Sequence, residues 1–334
     1  EKSSRVSGSE IISSNSKTSY NGNYGLNASW TLYNGNKRLK TIQQEKLNNQ
    51  VAELDVATSE NNIQESIAQV YIQILYAAES VKVNESTLQV SIAQRDRGQE
   101  LLNAGSIAKS DFAQLEAQVS TDRYQLVTAQ ATLEDYKLQL KQLLELDGEN
   151  EMNIYLPALS DENVLAPLPT KKDVYIRALS LRPEIEASKL NVEASELGIG
   201  IAKSSYLPTI SLSAGIGTNH TSGSDFTFGE QVKNGWNNSI GLSVSVPIFN
   251  NRQTKSAVQK AKLQYETSML SLLDEQKTLY KTIEGLWLDA NSAQQRYAAA
   301  NEKLKSTQIS YELISEQFNL GMKNTIELLT EKNN

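Results

Sequence analysis

The stretch "SWTLYNGNKR", Ser29–Arg38, decides the fold, and "SVPIFNNRQT", Ser245–Thr254, repeats its form. Each begins with residues that alternate apolar and small polar, the signature of a strand with one covered face. Each then passes an aromatic residue and an asparagine, and a basic residue opens a long polar stretch. A change from period two to helical period, made twice in one chain, implies two copies of one unit.

Sliding the chain on itself by 216 positions aligns the two stretches without a gap. Tyr33 meets Phe249, Asn34 meets Asn250, Tyr71 meets Trp287, Asn103 meets Asn319 and Gly105 meets Gly321. Six residues past each glycine stands an acid, Asp111 and Glu327. A constant offset over such a span is an internal duplication with a very long period.

Each unit has a helical half. No proline lies between Gly35 and Leu156, and the only glycines there are Gly98, Gly105 and Gly148. Beyond Asn250 the only glycines are Gly285 and Gly321. Runs so free of breakers exceed ordinary globular helices. From Lys37 to Asn103, Ile67, Ile74, Val81 and Leu88 recur at heptad spacing with Val70 and Ala77 between them. The second unit answers with Ile283, Ala290, Tyr297, Leu304 and Tyr311. A helix over 37–103 would extend about 100 Å. The return segment carries Phe112, Leu115, Val119, Asp122, Leu126, Ala129, Leu133, Tyr136, Leu140 and Leu143, a coiled-coil seam. Asp122 is its one charged member and is expected to snorkel to water. Gly105 marks the turn between two antiparallel helices.

Each unit also has a strand half. Tyr20, Tyr24, Leu26, Ala28, Trp30 and Leu32 share one parity, as do Ile210, Leu212, Ala214 and Ile216, and Trp236, Ile240, Leu242, Val244, Val246 and Ile248. Serine, asparagine, threonine and glycine hold the other. Val6–Ser13 is a weaker fourth candidate. Strands of about ten residues with one apolar and one small polar face suit a transmembrane barrel wall. Four strands cannot close a barrel, so neighbouring copies must pair the edges, and three copies would give twelve strands. On this reading the chain leaves the membrane at "LYNGNKR" and "IFNNRQT" and becomes a helix in water, with Asn34 and Asn250 as helix caps.

Composition removes other classes. The chain has 334 residues, 39% hydrophobic and 21% charged, with a net charge of −7. The acidic balance argues against nucleic acid as a partner. The absence of cysteine excludes disulfides and thiolate chemistry, and the single histidine, His220, sits in a polar loop. No stretch approaches the roughly 18 apolar residues of a spanning helix. No nucleophile–base set, metal-ligand spacing or phosphate loop appears, so neither an enzyme nor a cofactor or metal site is expected.

The strand, P-I-F-N, long helix, Gly-x5-acid and return helix resemble the TolC family of outer-membrane efflux and secretion channels. The resemblance rests on "SVPIFNNRQ", "NAGSIAKSDFAQLEAQ", "NLGMKNTIELLTE" and "ALSLRPEIEASKLNVEASELGIGIAKSSYLPTISL", and covers nearly the whole chain. It implies an α+β membrane protein: long antiparallel helical hairpins forming an α-barrel, plus four transmembrane β-strands per protomer that close a twelve-strand barrel as a homotrimer. The expected divisions are 1–147, a first repeat; 148–207, an equatorial mixed segment; and 208–334, a second repeat. Relative to the family pattern, a helix before the first strands and much of the second return helix are expected to be missing. The implied function is the channel-tunnel of a tripartite efflux or type I secretion system, spanning the outer membrane and extending into the periplasm. Its implied partners are outer-membrane lipid, a periplasmic adaptor (membrane fusion protein) and an inner-membrane pump. The alternative is a structural coiled-coil protein, or the adaptor itself, without a pore. The cargo, whether drug, metal or protein, is not encoded legibly.

The resemblance also implies the sites. Gly105 and Gly321 would be adaptor-docking tips at the periplasmic entrance. Ser110 and Asp111 on the first hairpin would face Phe318 and Lys323 on the second, with Asp111–Lys323 as a charge pair. Glu327 would line the aperture, and three copies would make a ring favouring cations. For Asp111 and Glu327 a second reading stays open, in which each acid simply complements a helix N-terminus.

Overall fold

The structure, a computed structural model, describes residues 4–7, 10–13, 20–146, 154–157 and 164–334. Gly148 and the rest of 147–153 lie outside the described residues. Among the described residues twelve elements follow in order: β1 (Ser4–Ser7), β2 (Glu10–Ser13), β3 (Asn21–Asn34), α1 (Lys37–Asn103), α2 (Lys109–Leu143), α3 (Lys171–Leu181), α4 (Pro183–Ser204), β4 (Thr209–Thr221), α5 (Phe228–Asn234), β5 (Asn237–Ser245), α6 (Gln253–Asn319) and α7 (Thr325–Asn333).

The duplication survives at residue resolution. Both long helices have 67 residues, and their ends differ by the same 216 positions that align the sequence. The switch from strand to helix is built the same way twice. Gly35 and Asn36 are left-handed at φ 66° and 64°, and so are their counterparts Asn251 and Arg252 at 49° and 62°. Two consecutive left-handed residues turn the chain out of the sheet, which explains the polar, asparagine-rich wording of both quoted stretches. The Asn34 side chain accepts from the Arg38 N–H at 3.3 Å, as a cap. Asn250 instead offers its carbonyl to the Gln253 N–H at 2.9 Å, and its amide donates to the Thr254 hydroxyl.

Contacts gather the chain into two compact units that cut across the repeats: Glu1–Ala52 with Ala187–Leu273, and Glu53–Glu186 with Asp274–Asn334. In the first unit β3, β4 and β5 form an antiparallel sheet with β4 in the middle. Its register stacks apolar rows across the strands: Leu26–Ile216, Ala28–Ala214–Ile240 and Trp30–Leu212–Leu242. The opposite face carries Asn27–Gly215–Ser239, Ser29–Ser213–Gly241 and Thr31–Ser211–Ser243. A bulge between Thr31 and Tyr33 puts Tyr33, rather than Leu32, opposite Ile210, so the aromatic ends the apolar rows.

The apolar face is bare. Leu26, Trp30, Ile240 and Leu242 are 65–84% exposed. A patch of this kind marks contact with another protein or a membrane. The fourth predicted strand differs from expectation: Ser4–Ser7 and Glu10–Ser13 are two short strands paired with each other, apart from the three-stranded sheet. Beyond the sheet's far end, α5 lies over β4. Thr218 Oγ1 donates to the Val232 carbonyl at 3.0 Å, and the Phe228 ring meets His220 and Tyr24 edge-on. Among the described residues, no helix is long and apolar enough to cross a membrane.

In the second unit the predicted seams are covered: Ile74, Ala77 and Leu88 on α1, and Leu115, Val119 and Leu140 on α2, are buried. Three seam expectations are corrected. Leu143, at the end of α2, is exposed. Leu304 is 61% exposed, because it lines an open cleft of about 600 Å³ between α1, α6 and α7. Asp122 does not snorkel; it is buried, for a reason given below. The segments 154–157 and 164–170 run against the long helices, held by Tyr71 and Gln294 side chains on their backbone carbonyls.

Candidate functional site at the paired helix tips

The two hairpin turns are near-identical. After Asn103 and Asn319, Gly105 and Gly321 both adopt φ 74°, a left-handed conformation that glycine takes without penalty. In both, the two N–H groups around the glycine return to the last turn of the helix: Gly105 N to Leu102 O and Ser106 N to Leu101 O, Gly321 N to Phe318 O and Met322 N to Gln317 O, at 2.8–3.0 Å. This is the Schellman closure that satisfies otherwise orphaned carbonyls. A Cβ on either glycine would meet nothing within 4 Å, so the turns project freely.

The acids begin the return helices. The Asn324 side chain accepts from the Glu327 N–H at 2.8 Å, while Glu327 accepts from the Asn324 N–H at 3.2 Å. This reciprocal arrangement is a capping box. In the first hairpin Ala108 stands where Asn324 stands, so only one half survives: Asp111 accepts from the Ala108 N–H at 3.4 Å. The helix-terminus reading of these acids thus has direct support in both repeats.

The Asp111–Lys323 pair expected from the sequence is not formed within the chain. Lys323 Nζ lies 2.5 Å from Glu327 Oε1, one helical turn away on its own hairpin. The Lys323 ammonium, then the Asn324 N–H, hold the Glu327 carboxyl below its ordinary range. Phe318 has no part in a polar latch either. It is 2% exposed and packs with Leu101, Leu115 and Leu328 in a cluster fed by all four tip helices. An aromatic ring without a hydroxyl at this position belongs in that apolar plug. Ser110 is exposed on the first turn of α2.

Below the plug lies a charged cluster that sequence reading missed. Lys332 Nζ on α7 is 2.5 Å from Asp122 Oδ2 on α2 and 2.5 Å from Ser91 Oγ on α1. Ser91 also donates to Asp122 Oδ2, and Gln118 Nε2 donates to Oδ1 at 2.9 Å. Burial pushes the Asp122 carboxyl up, but the bonds from Lys332, Ser91 and Gln118 together bring it below its ordinary value. The available signal was Asp122 itself, a charge on an apolar seam. Beside the cluster, Gln94 Nε2 donates to Tyr311 Oη at 2.9 Å and joins α1 to α6. Among the described residues there is no grouping of side chains that would hold a metal.

The chain is similar to the outer membrane efflux protein BepC of Brucella suis biovar 1, 24% identical over 276 residues, covering 82% of this chain and 57% of the relative. It is also similar to the outer membrane protein TolC of Escherichia coli K12, 22% identical over 288 residues, with 84% and 57% covered. The chain therefore spans a little over half the length of these relatives. Among solved structures, CusC matches with a TM-score of 0.79 at 19% identity, covering all of this chain and 74% of that one. VceC of Vibrio cholerae matches at 0.76 and 16% identity, with all of this chain and 78% of that one covered. Residues 1–145 and 174–333 match the outer membrane efflux protein family, and the chain belongs to that family.

Proposed function

We propose that the chain forms, as three copies, an outer-membrane channel with a periplasmic helical tunnel, which passes substrates unchanged from a periplasmic adaptor and inner-membrane pump to the exterior. The observation that carries this reading is the bare apolar face of the β3–β4–β5 sheet, on the same chain as two 67-residue helices. Strands β3 and β5 are the edges of that sheet. In lipid their unpaired backbone groups must find partners, and other copies of the chain supply them. The β1–β2 segment is the candidate for the fourth strand of each copy.

The apolar rows then face acyl chains, and the serine, asparagine and glycine face lines the lumen. Tyr20, Tyr24, Phe226, Phe228 and Trp236 gather at the end away from α1 and α6, while Tyr33 and Phe249 lie at the end nearest them. Aromatic girdles at both interfaces are expected of such a wall. In a coiled-coil or adaptor protein without a pore, this face would have no role. The tips carry Glu327 as an acidic ring at the entrance, and Gly105 and Gly321 offer exposed turns to the adaptor.

The test is ion conductance of the full-length protein in planar bilayers, with Glu327→Gln alongside. Stable channels whose cation preference falls in the variant support the pore and its acidic entrance. Channels indifferent to the substitution keep the pore and discard Glu327 as its selectivity residue. Folded trimers that never conduct, with either sequence, contradict the reading.

A further inference from the structure

The segment between β4 and β5 does not hang free beyond the sheet. Gln231 on α5 ties it back to β4. Its Oε1 accepts from the Thr221 N–H at 2.9 Å, and its Nε2 donates to the Thr221 and Phe226 carbonyls at 3.2 and 2.8 Å.

The face that α5 covers follows from the register. Tyr24 pairs with Thr218 and Gly22 with His220, and the ladder runs unbroken from there to Leu26–Ile216 and Ala28–Ala214. Successive side chains on a strand point to opposite faces. Tyr24, Thr218 and His220 therefore belong to the apolar rows, and Asn219 belongs to the small polar face. Those three side chains are the ones that meet Phe228 and the Val232 carbonyl. His220 Nδ1 is buried there, with no hydrogen-bond partner among the described residues. The helix lies on the apolar side of the sheet.

Two features set its level. Phe228 and Val232, four residues apart, share one side of α5, while Glu230, Lys233 and Asn234 are exposed around the rest. Charges that point away from an apolar wall are costly among acyl chains and suit the headgroup boundary. The uncovered wall has the matching height. From Tyr24 to Tyr33 the strand climbs about 30 Å at about 3.4 Å per residue, and a tilt of about 40° leaves roughly 23 Å. The apolar band of such walls is about 25 Å tall.

We propose that α5 is an outer ledge of the barrel wall, which rests in the headgroup layer of the outer leaflet at the limit of the acyl chains and stays out of the pore mouth. It continues the lipid-facing rows, and β4, which it covers, is the middle strand, so the sheet edges stay clear for other copies. The proposal rests on the channel reading, and its test separates the two.

Nitroxide labels are placed singly at Gly229→Cys, Ile240→Cys and Lys109→Cys in this otherwise cysteine-free chain. A Cβ on Gly229 would meet nothing within 4 Å, and Ile240 and Lys109 are exposed. The full-length protein is reconstituted in vesicles of phosphatidylethanolamine and phosphatidylglycerol. Depth is read from collisions with oxygen, which concentrates among acyl chains, and with a water-soluble nickel chelate present on both sides of the bilayer. The Ile240 label is expected to be rich in oxygen and poor in nickel collisions, the Lys109 label the reverse, and the Gly229 label between them. Gln231→Ala removes all three tethers, so it should shift the Gly229 label to the Lys109 value and leave bilayer conductance as in the parent.

A Gly229 label as wet as Lys109 in the parent, with Ile240 in lipid, overturns the ledge and keeps the wall. A Gly229 label shielded from both reagents, by another copy or by the lumen, overturns it too. A wet Ile240 label overturns the lipid wall and the ledge with it. A rise in conductance in Gln231→Ala would put α5 in the mouth and overturn the proposal.

Discussion

Tyr71 and Trp287, 216 positions apart, perform one task in the two repeats: each donates its side-chain hydrogen to a backbone carbonyl of the segment linking them. Tyr71 Oη reaches the Tyr155 carbonyl at 2.8 Å, and Trp287 Nε1 reaches the Pro169 carbonyl at 3.2 Å. The chemistry has diverged while the contact has been kept. Trp287 has gained a second partner, since Lys171 Nζ lies 4.8 Å from its ring centre and 2.9 Å from Glu284. Trp287→Phe removes the donor and weakens the cation–π contact, so a loss of about 1 kcal/mol is expected. Tyr71→Phe should lose about 0.5–1 kcal/mol by removing the hydroxyl alone. Denaturant unfolding checks both. Limited proteolysis between 164 and 170 should quicken in Trp287→Phe only.

The glycines divide by mechanism. Gly321→Ala costs about 1 kcal/mol for the left-handed backbone alone, because its Cβ would meet nothing. Gly321→Asn should recover part of that loss, since asparagine tolerates this conformation. Gly98 is a different case: a Cβ there would fall 2.3 Å from Leu115 Cδ1, and Leu115 is 1% exposed. Overpacking of this kind costs about 1–3 kcal/mol. Thermal melting of the three variants should rank Gly98→Ala as the most damaging, and parity between Gly98→Ala and Gly321→Ala would contradict the close approach of α1 to α2.

These two kinds of glycine also mark what the sequence made legible. The helix limits, the tip glycines and the strand faces were readable because each depends on residues near in sequence or on a fixed 216-residue offset. The bulge at Leu32 was not, because only β4 decides which residue faces Ile210. The burial of Asp122 was not, because its counterion lies 210 positions away on α7. Lys323 is instructive in the other direction. The family resemblance points Lys323 to Asp111 on the other hairpin, while Glu327, four residues on in the same hairpin, is the acid it meets.

Two neighbouring residues test the sheet. Ile240 and Ser239 are adjacent on β5 and point to opposite faces, in line with Ala28–Ala214 and Asn27–Gly215 respectively. If the apolar face meets lipid, Ile240→Arg costs about 2–4 kcal/mol near the midplane. Ser239→Arg should be tolerated and should instead alter single-channel conductance. Urea unfolding in bilayers supplies the first number and recordings the second. Equal losses at both positions would mean that the sheet has no lipid face.

Glu327 carries a pH signature at the tip. Its carboxyl sits below its ordinary value of 4.5, held there first by Lys323 and then by the Asn324 N–H. Its contribution to the α7 cap is therefore complete above that ordinary value and is lost as the pH falls through the depressed one. Glu327→Gln keeps the shape without the charge, so its tip should lack this acid-sensitive step. Label mobility at Ile326→Cys, followed from pH 6 downwards, should rise more at low pH in the parent than in Glu327→Gln, which keeps only the acid dependence of Asp122.

Asp122 separates stability from position. Its folded carboxyl lies below the ordinary 3.8 despite burial, so its stabilising contribution is full above that value and fades as the pH falls through the lowered one. Asp122→Asn should begin about 3–5 kcal/mol less stable at neutral pH, because Lys332 is left buried and unpaired, and should lack the acid-dependent component. The double variant Asp122→Leu/Lys332→Met removes both charges at once. Replacing a buried pair by apolar residues is often neutral or stabilising by about 1–4 kcal/mol, so this variant should unfold no earlier than the parent. An apolar joint also slides, as the plug above it can, so its hairpin distances should broaden even as its stability holds. That combination, a protein as stable as the parent but looser at its tip, is what a pair retained for geometry predicts. A double variant that is both stable and as tightly spaced as the parent would mean that the ions add nothing the surrounding packing does not already supply.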